Sequence, residues 1–495
     1  LCRAPCNYPV CFTGVCHASD FCLSFDVPHR PAGFAAQYVC RVMHQPLSAA
    51  ISASISAAAH QAATFASGHA AAHWRWRVLD PAALQAFQDD RARQIVAYAA
   101  AHSPFYRSHW QNHDPEHWRS LPTVDKAAMM ANFDAFNTCG VTAAEAMRIA
   151  LAAEESRDFT PTVDGMTVGL SSGTSGHRGL FLVSRGEQAM WAGVILARAL
   201  HTLRAGRTRV AFFLRSHSNL YQQANGALLQ LRYFDLMAPL ADSIAALNHY
   251  QPHILVGPPS LLGFLADARD GGTLRVNPQR LISVAEVLEP QDEARLAAAF
   301  QAPVHQVYQC TEGLLAVSCA HGSLHIQEDV VALQCEPLDG GRVTPIVTDL
   351  WRRTQPIIRY RLNDVLQMGG SCPCGSSFRT IIRIEGRRDD VCYFLARDNN
   401  VHERRRPFFP DTIRRMILLA GDGIADYQAV QECDGQLLVH LALTPGVDRQ
   451  HVVEAVRTSV CATVDQYGCR PPEVDVDTLL PPLPPGRKRR RVQRL

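Results

Sequence analysis

The chain has 495 residues, of which 47% are hydrophobic and 19% are charged, and its formal net charge is +2. This composition is ordinary for a globular protein and excludes collagen-like, coiled-coil and wholly disordered chains. Six basic residues and no acidic residue lie at positions 487–494, so the rest of the chain is slightly acidic. A body with that charge gives no electrostatic reason to expect a nucleic-acid partner.

The first 73 residues differ in composition from the remainder. Six of the 16 cysteines lie among the first 40 residues, and positions 42–74 contain no Lys, Arg, Asp or Glu. This run is mostly Ala and Ser, interrupted by His60 and His69, which argues against a membrane span. We expect residues 1–73 to lie outside the fold, with residues 1–42 a misassigned upstream extension. A genuine disulfide-linked appendage is the alternative.

The body of the chain begins with a helical pattern from Pro81 to Ala101, where Asp80 is a helix-start signal. Residues 142–152 predict a second helix. Short apolar runs then alternate with helical patterns, predicting strands at 210–214, 254–256, 281–284 and 304–308 and helices at 222–231, 260–268 and 291–300. This alternation predicts an α/β fold with a largely parallel sheet, in a large N-terminal domain of residues 74–388.

The pattern changes near residue 390. The charged segment at 387–390 precedes a predicted helix after Pro410, strands at 427–431 and 437–443, and a helix at 449–462. We therefore expect a small mobile α+β C-terminal domain of residues 389–495, joined to the large domain by a polar hinge. This domain ends in a Pro-rich segment and the basic tail.

The strongest local signal is a loop rich in Ser and Gly that follows the apolar run at 167–170. Its residues are Ser171, Ser172, Gly173, Thr174, Ser175 and Gly176. Glycines let the backbone approach an anion closely, and nests of backbone N–H groups cradle phosphates. The Walker pattern is absent from the sequence, and on composition alone an ordinary flexible connection stays as the alternative.

This loop resembles the phosphate loop of the adenylate-forming superfamily, which includes acyl-CoA synthetases, nonribosomal adenylation domains and luciferase. Further motifs that resemble those of the family follow in its order at residues 285–286, 308–313, 359–364 and 386–390. The resemblance implies that Ala285 and Glu286 line the adenine pocket, that Tyr308 and Thr311 bind the nucleotide, and that Asp364 binds the ribose hydroxyls. An Asp suits that role because its carboxylate can accept two hydrogen bonds from a diol.

The resemblance also implies three catalytic residues. Glu312 would help to hold Mg²⁺, which prefers a few protein oxygens together with phosphate oxygens. Arg387 would reach the nucleotide, and Asp389 would be the pivot of the hinge. Lys488 lies where the family has a lysine that neutralises the forming acyl-phosphate, and Arg487 is the competing choice on the same charge argument.

Within the superfamily the chain most resembles the phenylacetate-CoA ligase branch, close to proteins related to the synthetase that joins AMP to a deazaflavin coenzyme. The segments that carry this resemblance include positions 88–106, 121–126, 356–361 and 372–375. Cys319, His325, Cys372 and Cys374 form a Cys₃His set typical of structural Zn²⁺. Because the C-x-C spacing is tight, free cysteines and a surface histidine are the alternative; the resemblance to relatives with zinc at these motifs favours the metal.

We therefore expect a cytoplasmic, ATP-dependent ligase that adenylates a carboxylic acid, aromatic by resemblance, and transfers it to the thiol of CoA or an acyl-carrier protein. Phe212, Phe213, Tyr221 and Asn225 are the candidates for the substrate wall. One alternative joins AMP to a cofactor hydroxyl, as the deazaflavin synthetase does. Another is a non-catalytic nucleotide-binding protein or a protein whose basic tail binds nucleic acid. Neither a nucleic-acid nor a membrane partner is expected for the ligase.

Overall fold

The computed structural model describes residues 45–171, 179–200, 207–214, 229–236, 238–387, 390–397, 405–418, 420–421, 423–482 and 490–495. The chain forms two compact units, Leu1–Ala58 and Ala59–Leu495. The described part of the first unit is helical from Gln45 onward. The strands and the site described below all lie in the second unit.

Ten α-helices precede residue 301 in the described part of the chain. They are α1 (Gln45–Val78), α2 (Pro81–His102), α3 (Pro104–His109), α4 (Lys126–Ala131), α5 (Phe133–Phe136), α6 (Ala143–Ser156), α7 (Arg185–Ala199), α8 (Leu240–Tyr250), α9 (Pro259–Asp270) and α10 (Pro290–Phe300). The predicted start of α2 is confirmed, because the Asp80 carboxylate accepts a hydrogen bond from the Ala83 amide at 2.8 Å. Short 3₁₀ helices lie at Pro115–Ser120 and Asp339–Gly341.

The N-terminal boundary of the body differs from the prediction. Helix α1 runs through residue 73 without a break, and its residues from Ala59 onward belong to the second unit. Ala72 is fully buried, and a Cβ on Gly193 of α7 would lie 2.3 Å from the Phe65 carbonyl oxygen. The two helices touch backbone to backbone because glycine stands at this crossing. Residues 59–73 are therefore packed with the body, which corrects the expectation that they lie outside the fold.

The large body is built on one twelve-stranded sheet and a separate hairpin. The strands are β1 (Thr167–Leu170), β2 (Leu180–Val183), β3 (Thr208–Leu214), β4 (Leu229–Asp235), β5 (Ile254–Gly257), β6 (Arg280–Val284), β7 (Val304–Cys310), β8 (Gly313–Ser318), β9 (Leu324–Ile326), β10 (Val331–Pro337), β11 (Arg342–Asp349), β12 (Tyr360–Arg361), β13 (Asp364–Met368) and β14 (Thr380–Arg387). Strands β1 and β2 form the antiparallel hairpin. The large sheet has the order β10-β11-β13-β14-β9-β8-β7-β6-β5-β3-β4, with β12 paired to β11.

The sheet is parallel only over β4, β3, β5, β6 and β7, and every pair from β7 onward to β10 is antiparallel. The expected α/β alternation is confirmed from β4 to β7, where helices α8, α9 and α10 form the crossovers. The antiparallel half has short connections, such as the two residues Thr311 and Glu312 between β7 and β8. The prediction of a largely parallel sheet is therefore correct only for the part from β4 to β7.

One predicted helix is partly wrong. Residues 222–231 were expected to be helical, but Leu229 begins strand β4 and residues 222–228 lie outside the described part of the chain. The segment Leu229, Gln230, Leu231 and Arg232 alternates apolar and polar side chains, which is the period of a strand rather than of a helix.

The C-terminal region has its own sheet and core. Its elements are β15 (Cys392–Leu395), β16 (Arg405–Phe408), α11 (Pro410–Leu418), β17 (Ile424–Gln431), β18 (Gln436–Leu443), α12 (Arg449–Gln466), β19 (Glu473–Asp477) and β20 (Val492–Arg494). Strands β19, β18, β17 and β20 form a four-stranded sheet in that order. Val452, Val456, Val460 and Val464 line one face of α12 and are buried in a core separate from that of the large sheet. No helix in the described ranges is long and apolar enough to cross a membrane.

Candidate functional site

A cavity of about 1580 Å³ opens at the carboxyl edge of the parallel strands. Val284 at the end of β6 and Tyr308 near the end of β7 contribute to its wall, together with Ser171 from the end of β1. In open α/β sheets ligands bind outside the carboxyl ends of the strands, because the connecting loops diverge there and leave a crevice. This edge is therefore the natural place for a site.

The Ser/Gly loop is the connection of the β1–β2 hairpin. The Ser171 amide donates to the Gly179 carbonyl at 2.7 Å, and the Gly179 amide donates to the Ser171 hydroxyl at 2.7 Å. These two bonds close the base of the loop and hold Ser171 at the cavity wall. The remaining predicted loop residues lie outside the described part of the chain; they are Ser172, Gly173, Thr174, Ser175 and Gly176.

Lys126 lies at the base of this loop, and the sequence interpretation gave it no role. Its ammonium group donates to the Ser171 hydroxyl at 3.1 Å. It is the first residue of α4, and the preceding Val124 pairs through its backbone with Arg359 and Arg361. Burial lowers the pKa of Lys126, the nearby Glu312 carboxylate opposes that shift, and the Arg387 guanidinium adds to it.

Composition contained a signal for Lys126. The 495 residues include 48 Lys and Arg, but the only lysines are Lys126 and Lys488. The other basic side chains are arginines; one lysine lies at the base of the Ser/Gly loop and the other in the C-terminal tail. Lysine provides a compact, flexible point charge that arginine does not match. This rarity marks both lysines as candidates for a role that arginine cannot fill.

Glu312 and Thr311 form the turn between β7 and β8. The Thr311 hydroxyl donates to the Glu312 carboxylate at 2.9 Å, and the Arg352 guanidinium donates to the Thr311 carbonyl at 2.6 Å. Glu312 is buried at the cavity wall. The pKa of Tyr360 is raised, chiefly by the burial of its phenol and then by the Glu312 charge. A carboxylate held in this way can supply an oxygen ligand to Mg²⁺, which takes one or two carboxylates and completes its octahedron with water and phosphate oxygens.

Asp364 and Arg387 are brought together by strand register. They are directly paired across the antiparallel strands β13 and β14, and both line the cavity. The Tyr308 hydroxyl donates to the Asp364 carboxylate. Burial, and then the Asp364 charge, raise the pKa of Tyr308 well above its usual range, so the phenol keeps its proton and holds the carboxylate in place.

Ala285 and Glu286 follow β6 at the same edge. Ala285 has φ of +69°, which is uncommon for a residue with a side chain. The Glu286 carboxylate accepts from the Ser260 amide at 3.1 Å and from the Ser260 hydroxyl at 3.0 Å. Glu286 therefore ties the strained segment to the first turn of α9, whose free amide groups and dipole favour a negative charge. Strained backbone of this kind clusters at ligand sites.

The C-terminal tail reaches the mouth of the cavity. Arg490 and Arg491 both line it, and the Arg490 guanidinium contacts the buried Asp390 carboxylate. Arg491 bridges two carboxylates, Asp292 on α10 at 2.7 and 3.1 Å and Asp426 on β17 at 2.7 Å. The predicted Lys488 and its competitor Arg487, and the predicted pivot Asp389, lie outside the described ranges.

The four predicted zinc ligands converge. Cys319 follows β8, His325 lies on β9, and Cys372 and Cys374 lie in the connection that enters β14, which pairs with β9. Their candidate ligand atoms all lie within 4.8 Å of one another. His325 is fully buried, and its Nδ1 lies 2.8 Å from the Phe378 carbonyl oxygen, which leaves Nε2 facing the sulfurs.

The spacing within this cluster fits a tetrahedral ion. Zn–S bonds of about 2.3 Å at the tetrahedral angle place two sulfurs about 3.8 Å apart. The sulfurs of Cys319 and Cys372 are 3.7 Å apart, and the Cys374 sulfur lies 3.4 Å from the His325 Nε2. The Phe378 carbonyl is the type of outer partner that fixes the ring of a metal-bound histidine. These residues therefore suit a closed structural zinc site.

The residues predicted for the substrate wall do not all lie on one face of the sheet. Phe212 lines the cavity, whereas Phe213 is buried on the opposite face of β3, where it stacks on Phe234 at 4.8 Å between ring centroids. Adjacent residues of a strand point to opposite faces, so both could not line one cavity. Tyr221 and Asn225 lie outside the described residues.

Comparisons with known proteins support the fold. No protein-family model matches the chain. Protein CapK of Staphylococcus aureus is 22% identical over 219 residues, which are 43% of this chain and 47% of CapK, so the match spans about half of that protein. Solved structures match over much more of the chain.

A structure of 2-hydroxyisobutyryl-CoA ligase in the postadenylation state with 2-HIB-AMP matches with a TM-score of 0.63 at 19% identity, covering 84% of this chain and 91% of that one. An open conformation of the same ligase with 2-HIB-AMP and CoA gives 0.57 at 18%, covering 84% and 92%. An acyl acid amido synthetase in complex with 2,4-DB gives 0.52 at 14%, covering 79% and 86%. The chain therefore shares the fold of these ligase and synthetase structures, which confirms the predicted α/β fold class.

Proposed function

We propose that the chain is an adenylate-forming ligase, which converts a carboxylic acid and ATP into an acyl adenylate and pyrophosphate. The observation that carries this proposal is the meeting of Lys126, Ser171, Glu312, Asp364 and Arg387 at one cavity. They come from separate segments of the chain. Together they offer two cations, a carboxylate that could bind a metal ion, a carboxylate that could accept two hydroxyl groups, and the first residue of a loop that could bind an anion. That set matches the parts of a nucleoside triphosphate.

In the proposed first step a carboxylate oxygen of the acid attacks the α-phosphorus of ATP, the bond to the β-phosphate breaks, and pyrophosphate leaves. Catalysis of such a step is largely positioning and charge stabilisation. The phosphate loop and Lys126 would bind the phosphates, and Asp364, held by Tyr308, would accept the ribose hydroxyls. Glu312 would hold Mg²⁺, which neutralises charge on the phosphates when bound. Arg387 would contact the nucleotide from the β14 side.

In the proposed second step a thiolate attacks the acyl carbon, a thioester forms, and AMP leaves. The thiol belongs to CoA or to an acyl-carrier protein, and the resemblance drawn from the sequence implies an acid that carries an aromatic group. The C-terminal region would first present Lys488 to the forming acyl-phosphate and then rotate about Asp389. The contacts of Arg490 and Arg491 at the cavity mouth support the first arrangement, because Lys488 lies two residues before Arg490.

We also propose that Cys319, His325, Cys372 and Cys374 hold a structural zinc ion. Trp76 of α1 packs edge-on against the His325 ring at 5.0 Å between ring centroids, so the cluster ties the N-terminal helix to β9 and β14. Since a closed site with four protein ligands leaves no open position, its role would be stability rather than chemistry.

The experiment that tests the proposed function is acid-dependent exchange between ATP and labelled pyrophosphate, run over a panel of aromatic and aliphatic acids. Exchange that requires both an acid and Mg²⁺ is expected, and Asp364→Ala should abolish most of it. Arg148→Met, on the exposed face of α6, is the control for a substitution outside the cavity. A stable nucleotide diester formed with a hydroxyl compound, with no exchange on any acid, would instead favour AMP transfer to a cofactor.

A further inference from the structure

The cavity continues along helix α7, beyond the residues assigned to the nucleotide. The α7 side of its wall recurs at helical spacing over the whole helix and consists of Trp191, Ala192, Ile195, Leu196, Ala199 and Leu200. From Gln188 to Leu200, the residue that follows α7, this stripe covers thirteen residues, and the twelve steps between them span about 18 Å at 1.5 Å per residue. A ligand pocket usually encloses about 300–1000 Å³, and this cavity holds about 1580 Å³.

The facing wall is the sheet. Val210 and Phe212 of β3 and Leu229 and Leu231 of β4 line the same space, at the two-residue period that sends alternate side chains to one face. Ile282 of β6 continues this wall. The channel therefore lies between the α7 layer and the parallel half of the sheet.

The two ends of this channel can be placed. At the near end the Glu187 carboxylate in the first turn of α7 accepts from the Thr354 amide at 2.8 Å, and nearby the Arg352 guanidinium donates to the Thr311 carbonyl, which holds the start of α7 beside the site. At the far end Arg280, the first residue of β6, donates to the Ala199 carbonyl at 3.2 Å. The channel thus crosses the sheet from its carboxyl edge to its amino edge.

The chemistry of the channel is uniform. Among the described residues that α7, β3 and β4 contribute to its wall, Gln188 at the near end is polar and the rest are apolar. A charged or strongly hydrated ligand would lose its water there without new partners. An apolar chain that fills the space binds more tightly with each methylene group that it buries. Each fully buried methylene group increases the affinity roughly fourfold.

We propose that the acid adenylated at this site has an extended apolar body, with its carboxylate beside Thr311 and Glu312 and its chain lying along α7. This inference rests on the proposed function and deepens it. Compact acids such as benzoate or phenylacetate would occupy only the near end. The site would prefer acids whose apolar part reaches toward Ala199, at the far end of the stripe.

The test is a chain-length series of straight-chain acids, with benzoate and phenylacetate beside them, in acid-dependent ATP–pyrophosphate exchange. For the unmodified chain, kcat/KM is expected to rise with length and to exceed that of both compact aromatic acids. Ala199→Phe fills the far end and should lower kcat/KM for the longest acids by roughly tenfold or more, the equivalent of two unburied methylene groups. Short acids should react as before.

Leu196→Trp, one turn nearer the site, should move the chain length with the highest kcat/KM to still shorter acids. Each variant tests the inference by itself, so one of them suffices if the other folds poorly. Ala152→Phe, an exposed substitution of the same kind on α6, is the matched control and should leave the series unchanged. A flat series, a preference for benzoate or phenylacetate, or an optimum that does not move in a folded variant would overturn the inference and leave the proposed function standing. Silence with every acid would overturn the proposed function and this inference with it.

Discussion

Replacing Lys126 by Met tests whether the structure has located a phosphate-binding cation that motif matching missed. The Lys126 ammonium group lies 3.1 Å from the Ser171 hydroxyl at the base of the Ser/Gly loop. A bound phosphate would therefore receive a charge-assisted hydrogen bond, and losing such a bond costs about 1.5–3 kcal/mol. Since about 1.4 kcal/mol is a factor of ten, kcat/KM for ATP should fall by roughly 10–150-fold.

The assay is pyrophosphate exchange at varied ATP, with melting temperature measured on the same samples. Lys126→Arg is the matched control, because it keeps the charge and should recover part of the activity. A larger effect on KM than on kcat would mean that Lys126 already contacts ATP in the ground state. A larger effect on kcat would mean that it contacts the departing pyrophosphate in the transition state. A folded Met variant with exchange within about twofold of the unmodified chain would refute the assignment of Lys126.

Four other substitutions test separate parts of the account. Asp364→Ala should raise KM for ATP by more than about tenfold, because it removes the acceptor proposed for the ribose hydroxyls; an unchanged KM in the exchange assay would contradict this. Arg491→Met removes the guanidinium that bridges the part-buried carboxylates of Asp292 and Asp426 and should lower the free energy of unfolding in urea by about 3 kcal/mol; a loss near zero would show that the ion pairs are dispensable. Burial raises the pKa of Asp349 from its ordinary value of 3.8 to about 6. The folded chain then holds this proton more tightly than the unfolded chain, so stability falls as pH rises from about 4 to 6. Asp349→Asn should accordingly be more stable than the unmodified chain at pH 8, by up to about 3 kcal/mol, and not at pH 4; equal stability in denaturant at both pH values speaks against it. Cys374→Ser should lose bound zinc and melt earlier, as followed by metal analysis and calorimetry on untagged protein; full zinc occupancy in the variant would count against the Cys₃His site.

The sequence predicted the parts of the fold that local pattern controls. The helices at α2, α9, α10 and α12 and the strands β3, β5, β6 and β7 lie where periodicity placed them. The helical prediction at 222–231 failed at its end, because Leu229, Leu231 and their neighbours alternate with period two. The boundary at residue 73 was misplaced because the apolar pattern of the sequence does not show a contact made by backbone. Helix α1 meets α7 in this way, with the Phe65 carbonyl against Gly193.

The sequence could predict candidate site residues that lie within a local motif. It could not predict those that only the folded chain brings together. Motif order brought Asp364, Arg387 and Glu312 forward, and the pairing of β13 with β14 explains why two of them meet. Lys126 lies 45 residues before Ser171, and no local pattern links them. The channel along α7 is also a property of packing, because a stripe of apolar residues on a helix equally indicates a filled core.

In the proposed reaction the acid's own oxygen attacks the α-phosphorus of ATP. The direct measurement uses an acid labelled with ¹⁸O in its carboxylate, ATP and CoA, followed by mass spectrometry of the products. One ¹⁸O is expected in each AMP, because the oxygen bonded to phosphorus leaves with AMP when the thiol attacks the acyl carbon. Unlabelled AMP, or label in inorganic phosphate, would exclude this attack.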